Sequence, residues 1–359
     1  MKKATSQDVA ELAGVSQATV SLILNNSDKI TFSNETKERV LAAAQTLQYC
    51  LPQRKRQQAK KGSRMLLVLT PTLTNQYYSE LIQAIEGYAD TLDYRVIVCN
   101  TFRKADLEKF YLDTFIGNHV DGIIYTFLPS FPRLIEQISV ATPTVIIGEK
   151  RDDLSICSIE LSNINAGAML AEHLYRLGHQ RLMFVSTPFN QLTLAREQRL
   201  EGMRKQLETH GIKNGVEVLV PDTAAEADTV AEGVPYEYTV GRKLTATLLQ
   251  RGTKATALIG VNDMTAVGIL NELETQGYRV PQDFSVCGFD NIFSSSVTTP
   301  SLTTIDHHLH TRCQSAVDMI VTQNVNDATG IASPMVNKIE YTPQLIARAS
   351  TGPCNIKEP

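Results

Sequence analysis

The sequence predicts a small all-α head, a basic linker, and an α/β body of two doubly wound parallel-sheet lobes. Three observations carry this. In TSQDVAELAGVSQATVSLILN (residues 5–25), apolar residues cluster at helical spacing on either side of Gly14. From Met65 onward, short apolar runs alternate with longer amphipathic ones, as in strand–helix–strand units. Charge is also divided: through Arg64 eleven Lys and Arg stand against five acids, while the rest carries 23 basic and 33 acidic residues. A basic head on an acidic body points to a polyanionic partner for the head alone.

In the head, Thr5 and Asp8 have capping-box spacing for a first helix. Val9, Ala10, Leu12 and Ala13 give it an apolar face, and Gly14 follows where a chain leaving a helix needs a left-handed residue. Ser16 caps a second helix, with Thr19 in its first turn. Val20, Ile23 and Leu24 face inward; Gln17, Ala18, Ser21 and Leu22 face outward. A third helix starts at Ser33 and carries Val40, Leu41, Ala44 and Leu47. Two short helices around a tight turn, with short polar side chains outward, suit the major groove of DNA.

The body opens with the strand MLLVLTP, the helix YYSELIQAIEGYADTLD, the strand RVIVCN and a helix to about Asn118. Strands VDGIIYT, TPTVIIG and CSIEL follow. The cycle then repeats: NAGAMLAEHLYRLG, RLMFVST, a helix through Arg199 and Glu208, EVLVPD, a helix near Val240–Arg251, TALIGVN, TAVGILNELETQG and FSVCGFD. Wholly apolar strands are buried on both faces. Ligands bind such folds outside the carboxyl ends of the strands, so two facing lobes make a cleft. The expected division is a head at 1–50, a hinge at 51–63, a body at 64–348 and a tail at 349–359. Lobe 1 is placed at about 64–161 and 292–325, lobe 2 at about 162–291 and 326–348.

The string DVAELAGVSQATVSLILN resembles the headpiece of the LacI (lactose repressor/GalR-type) family of bacterial transcription regulators. HLYRLGHQRLMFVS, the RxxG of Arg199–Gly202, VNDMTAVGIL, VPQDFSVCGFDN and TPSLTTI resemble that family's effector domain, which is periplasmic-binding-protein-like in fold. The resemblance spans about residues 4–348. It implies a DNA-contacting set of Thr5, Ser6, Ser16, Gln17, Ala18, Thr19, Ser21, Leu22 and Asn25, with residues 33–36 at the DNA backbone. It also implies a hinge helix in the minor groove, drawing on Arg54, Lys55, Arg56, Ala59 and Lys60. Two departures matter. Leu22 stands where the family commonly has an arginine that reads guanine. Ala59 stands where it has a leucine wedge. A charge run is ordinarily just a solvated linker; with DNA, this one is expected to neutralise phosphates and make binding salt-sensitive.

Candidate effector contacts sit after strands: Asn75, Tyr77 and Tyr78 after the first, Glu149 after TVIIG, Asn262 after ALIGV, and Asp290 after SVCGF. Arg199 lies three residues before Gly202, and Tyr236 follows a stretch, 222–234, that departs from the family pattern. An arginine and an aspartate offer the donor and acceptor that a polyol needs. For four of them a bland role competes: Asp290 capping a loop, Arg199 in a surface ion pair, Glu149 paired with Lys150, Tyr77 in the core.

At 359 residues the chain has room for two to three domains. No run of 18 apolar residues appears, so no membrane partner is expected, and the N-terminus lacks the apolar stretch of a secretory signal. The six cysteines are scattered without CxxC, as expected for reduced thiols in the cytoplasm. His307, His308 and His310 lack a Cys partner and are read as structural or solvated, so neither metal nor cofactor is expected. No GxSxG, P-loop or GxGxxG follows a strand. After Leu345 there are no heptads, which favours a homodimer over a tetramer. The leading expectation is a ligand-responsive repressor of carbohydrate-utilisation genes on a pseudo-palindromic operator, with a sugar or sugar phosphate as its effector. A purine- or other metabolite-responsive regulator, a plain solute-binding protein and an enzyme are the alternatives.

Overall fold

The computed structural model describes residues 5–24, 33–47, 64–116, 120–149, 153–189, 194–221, 233–329 and 336–355. The chain divides into two compact units, Met1–Gly62 and Ser63–Pro359.

The first unit holds α1 (Ser6–Ala13), α2 (Gln17–Leu24) and α3 (Asn34–Thr46). Its core is Val9, Ala10, Ala13, Val20, Ile23, Val40, Ala43 and Ala44. Leu12 and Leu41, expected on the apolar faces, are instead exposed. Each precedes or follows a buried residue by one position, and a helix turns neighbours about 100° apart. So few and such small side chains bury a minimal core.

The second unit contains two parallel sheets. In the first lobe, β1 (Met65–Thr70), β2 (Arg95–Asn100), β3 (Gly122–Tyr125), β4 (Thr144–Glu149), β5 (Cys157–Leu161) and β11 (Lys338–Tyr341) pair in the order β11-β5-β4-β3-β1-β2. Alternate strand residues feed opposite cores. Leu66, Val68, Ile124 and Val145 pack against α4 (Gln76–Thr91) and α12 (Leu309–Thr329). Leu67, Leu69, Ile123 and Ile146 pack against α5 (Ala105–Phe115) and α6 (Pro132–Ser139).

The second lobe repeats the device. β6 (Leu182–Val185), β7 (Val216–Leu219), β8 (Ala257–Gly260) and β9 (Ser285–Cys287) pair as β7-β6-β8-β9. Leu182, Phe184 and Ile259 face α7 (Asn163–Arg176) and α8 (Leu194–Thr209). Met183, Val185 and Leu258 face α9 (Tyr236–Arg251) and α10 (Asp263–Thr275). After the short α11 (Phe293–Val297), β10 (Thr304–Asp306) pairs antiparallel with β12 (Gln344–Ile346). The doubly wound architecture read from the sequence is therefore present in both lobes.

The expected lobe boundaries need correction. The chain does not leave lobe 2 near Asn291: Leu302 and Ile305 pack in lobe 2 cores, and Thr303 bridges Cys287 beside β9. Crossing comes at His307, just before α12. Nor does it return at residue 325, because α12 continues to Thr329 and β11 pairs with β5 in lobe 1. It returns between Tyr341 and Gln344, where β12 begins. The tail expected from 349 is part of lobe 2 through Cys354. Ser350 accepts from the backbone N–H of Val286 at 2.8 Å, and Cys354 donates to Leu177 O at 2.8 Å.

Candidate functional site

In the head, the local chemistry is that of helix ends. The Thr5 backbone N–H donates to Asp8 Oδ2 at 2.7 Å and Asp8 N–H to Thr5 Oγ1 at 3.3 Å, closing the capping box. Gly14 ends α1 at φ 66°, a conformation that penalises residues with a Cβ. Ser16 Oγ accepts from Thr19 N–H at 3.1 Å, and Ser33 Oγ from Thr36 N–H at 3.2 Å. Thr5 and Ser16 thus serve as caps, whatever else they touch. Gln17 is exposed in the first turn of α2. The side chains of Ser6, Ala18, Ser21 and Leu22 lie outside the described atoms, as do Asn25, Arg54, Lys55, Arg56, Ala59 and Lys60 entirely. Thr5→Ala is expected to lower head stability by about 1 kcal/mol. In the full chain, a helix-signal urea titration should show the head's transition shifting while the body's stays put.

In the body, a cavity of about 130 Å³ opens between the lobes at the carboxyl ends of their strands. One water needs roughly 10–15 Å³ of such space, so a small molecule fits. Of the residues predicted from sequence, Asn75, Tyr77, Tyr78, Arg199, Asn262 and Asp290 line it.

Arg199, buried on α8, is the centre of the arrangement. Its Nε donates to Asn163 Oδ1 at 3.0 Å and its Nη1 to Val261 O at 2.6 Å. Nη2 lies 3.2 Å from His307 Nε2 and 3.8 Å from Asp290 Oδ1, and the guanidinium sits 4.6 Å from the Phe289 ring centroid. Asn163 and His307 lie at two lobe crossings, Val261 at the end of β8. One side chain thus ties strand end to hinge, and anything that pulls it is felt at both crossings.

Asp290 is held at φ 131°, a region that residues other than glycine rarely occupy. Its N–H donates to Ile305 O at 3.0 Å. Burial raises its carboxyl well above the usual range; Arg199 opposes this, and Asp263 and Glu237 add to it. His307 is held well below its ordinary value by burial and by Arg199 and Arg312, so it is neutral. Its Nδ1 is buried with no hydrogen-bond partner among the described residues.

The asparagines are half committed. Asn262 Oδ1 caps α10, accepting from Thr265 N–H at 3.0 Å; Asn75 Oδ1 accepts from Tyr77 N–H at 3.1 Å. Their amide NH2 groups are what remain for a ligand. Tyr77 and Tyr78 meet edge to face, centroids 5.2 Å apart. Tyr236 is a correction. It packs against the α9–α10 core and does not line the cavity, while its neighbour Glu237 does. Glu149 ends β4; Gly148 lines the cavity, and the Glu149 side chain lies outside the described atoms.

Sequence reasoning missed Arg103, Asn163, Arg196, Glu237 and Arg312. Arg312 is 1% exposed. It donates from Nη1 to Tyr77 Oη at 3.3 Å and from Nη2 to Ile159 O at 3.4 Å, leaving Nε buried without a partner among the described residues. It sits on α12, which gave no clear sequence signal. Arg196 was findable: it lies one turn before Arg199 on the same helix. Among the described residues no group of three His, Cys, Asp or Glu could hold a metal. His308 Nε2 lies 3.0 Å from Thr342 O, and His310 is exposed.

Asp263 has a structural role. Wholly buried at the start of α10, it accepts from Thr304 Oγ1 at 2.6 Å and from Ile292 N–H at 3.1 Å. Burial pushes its carboxyl up to about 6, with Thr304 and Ile292 opposing. A raised carboxyl favours the fold below the unfolded-state value near 4. That contribution is lost as pH rises through about 6. Asp263→Asn should therefore flatten the stability change between pH 4 and 6, read from urea midpoints; an unchanged slope would refute the assignment.

The likeness to known proteins follows this geometry. Residues 5–51 match the family described as bacterial regulatory proteins, lacI family, and residues 171–351 match a periplasmic binding protein-like domain. The chain is 31% identical over 351 residues to the HTH-type transcriptional repressor CytR of Escherichia coli (strain K12), covering 97% of this chain and 96% of that protein. It is 31% identical over 309 residues to the ribose operon repressor of Halalkalibacterium halodurans, covering 85% and 86%. The structure of the lac repressor dimer bound to operator and the anti-inducer ONPF matches with a TM-score of 0.65 at 27% identity, covering 98% of this chain and 100% of that one. A family headpiece, a two-lobed body and a full-length relative above 30% identity agree. The chain belongs to the LacI family of bacterial regulatory proteins, ligand-responsive repressors that bind DNA.

Proposed function

We propose that this protein represses carbohydrate-utilisation genes as a homodimer on a pseudo-palindromic operator in the cytoplasm, and that it performs no catalysis. A hydroxyl-bearing small molecule occupies the interlobe cavity. The observation that carries this is Arg199. It faces the cavity beside Asp290 while bonded to Asn163 and His307 at two lobe crossings, so a ligand that engages it shifts the balance between lobe arrangements. The relatives support a small effector: one is named for a ribose operon, and a matching structure carries the anti-inducer ONPF. A purine-like effector is the second reading. The deciding experiment is binding of the full chain to the promoter beside its own gene, titrated with sugars and purines. Loss or gain of DNA binding with a sugar supports the first reading, with a purine the second; no response to any compound refutes both.

Leu22 also sets an expectation for the operator. A leucine offers only apolar contact, so the preferred half-site lacks the guanine that an arginine there reads. Leu22→Arg should shift preference toward that guanine by about 1–3 kcal/mol, measured by binding-site selection. Recovery of the guanine by the unmodified chain would contradict this.

A further inference from the structure

Among the described residues, the cavity lining carries more positive charge than its acids can balance. Four arginines line it, Arg103, Arg196, Arg199 and Arg312, against the carboxyls of Glu237 and Asp290. Of these four, Arg199 lies within ion-pair distance of a described carboxylate, that of Asp290. Among the described residues, Arg103, Arg196 and Arg312 have none. Arg196 donates from Nη1 to Pro188 O at 2.9 Å, which leaves its other N–H groups for a ligand. Arg103 is exposed at the cavity wall in the loop between β2 and α5, and makes no ion pair. Buried or half-buried cations without a counter-charge are costly unless a ligand supplies one.

Arg103 comes from lobe 1 and Arg196 from lobe 2. We infer that the effector is an anion, a phosphate monoester of a hydroxyl-bearing small molecule, and that its phosphate sits between Arg103 and Arg196. This deepens the effector reading and rests on it. Both guanidiniums line the same cavity, and Arg196 is pushed below its ordinary value first by burial and then by the like charge of Arg103, with Glu237 opposing. A phosphate between them replaces repulsion with charge-assisted hydrogen bonds from both lobes. The neutral, hydroxyl-bearing part then meets Arg199, Asp290 and Tyr78. The anion itself draws the lobes together, so an unphosphorylated parent closes the cleft poorly.

The test is calorimetric titration of the full chain with inorganic phosphate and with matched pairs: pentoses and hexoses against their phosphate esters, nucleosides against their 5′-monophosphates. The expected result is one pair whose ester binds about 10- to 100-fold tighter than its parent. Which pair responds tells a sugar ester from a nucleotide. Arg103→Gln and Arg196→Gln should each remove most of that preference, with far less effect on the parent. The ester's affinity should also rise from pH 5 to 7, as the phosphate takes its second charge near pH 6. A parent that binds as tightly as its ester overturns the inference and leaves the effector cleft standing. So do variants that weaken both members equally. Failure of every compound to bind sinks both readings.

Discussion

Arg199→Met is expected to abolish the effector response and to destabilise the body by about 3–5 kcal/mol at neutral pH. The size follows from what is left behind. Asp290 loses the cation 3.8 Å from its Oδ1 and stays buried, with Asp263 and Glu237 both disfavouring its charge. His307 Nε2, Asn163 Oδ1 and Val261 O lose their donor together. The loss depends on pH. Asp290 already titrates above an ordinary carboxyl, and without Arg199 it moves further up. A raised carboxyl contributes stability below its unfolded value and loses it as pH rises, so the variant's deficit should shrink from pH 7 to pH 5. Adding Asp290→Asn should recover much of the loss, giving a clear coupling in a double-mutant cycle. Equal deficits at both pH values, with no coupling, would show that the pair is not the cause.

Gly202→Ala is the second large effect expected. A Cβ on Gly202 would lie 2.0 Å from Ile164 O, a backbone atom of α7 that cannot rotate away. The helices must part, at a cost of about 1–3 kcal/mol or more. Arg199 sits one turn earlier on α8, so effector affinity should fall as well. Gly167→Ala meets the same crossing from the other side, where its Cβ would lie 2.0 Å from Arg199 O. The two changes should therefore be less than additive. Gly87, in α4 with nothing within 4 Å of its Cβ position, is the control. Gly87→Ala should raise stability by about 0.5–1 kcal/mol. Urea midpoints with effector titrations read all three; a Gly202→Ala protein with wild-type midpoint and affinity would refute the close-crossing argument.

Much of the fold was legible because parallel strands buried on both faces read as unbroken apolar runs. MLLVLT and ALIG need no partner information to be recognised. The late elements were not legible. α12 carries Arg312 on its inner side, so its apolar period is broken at the residue that matters most for the cavity. β11 is an edge strand, KIEY, with Lys338, Ile339 and Glu340 exposed, and a polar edge looks like a loop. The lobe crossings depend on which strand β10 and β11 choose, which is tertiary information. At the site, Arg199 and Asp290 were found through family strings. Glu237 was missed for Tyr236 because the preceding stretch departs from the family pattern. Arg103 lies in a β–α loop, where no periodicity marks which residue turns toward the cleft.

The glycine crossing has a counterpart on the other face of lobe 2. A Cβ on Gly241 would lie 2.2 Å from Thr265 O, and one on Gly268 2.3 Å from Tyr238 O, so α9 and α10 meet by backbone just as α7 and α8 do. Arg199 and Arg196 ride on the first pair; Glu237 and Asn262 stand at the starts of the second. The placing of Arg196 and Glu237 is therefore inherited from main-chain contact between helices, whereas Arg199 and Asn262 also hold the frame through their own side chains. The chemistry at those first two positions can change while the frame that aims them stays fixed, so what is sensed can be altered there without touching the Arg199 linkage that sends the signal.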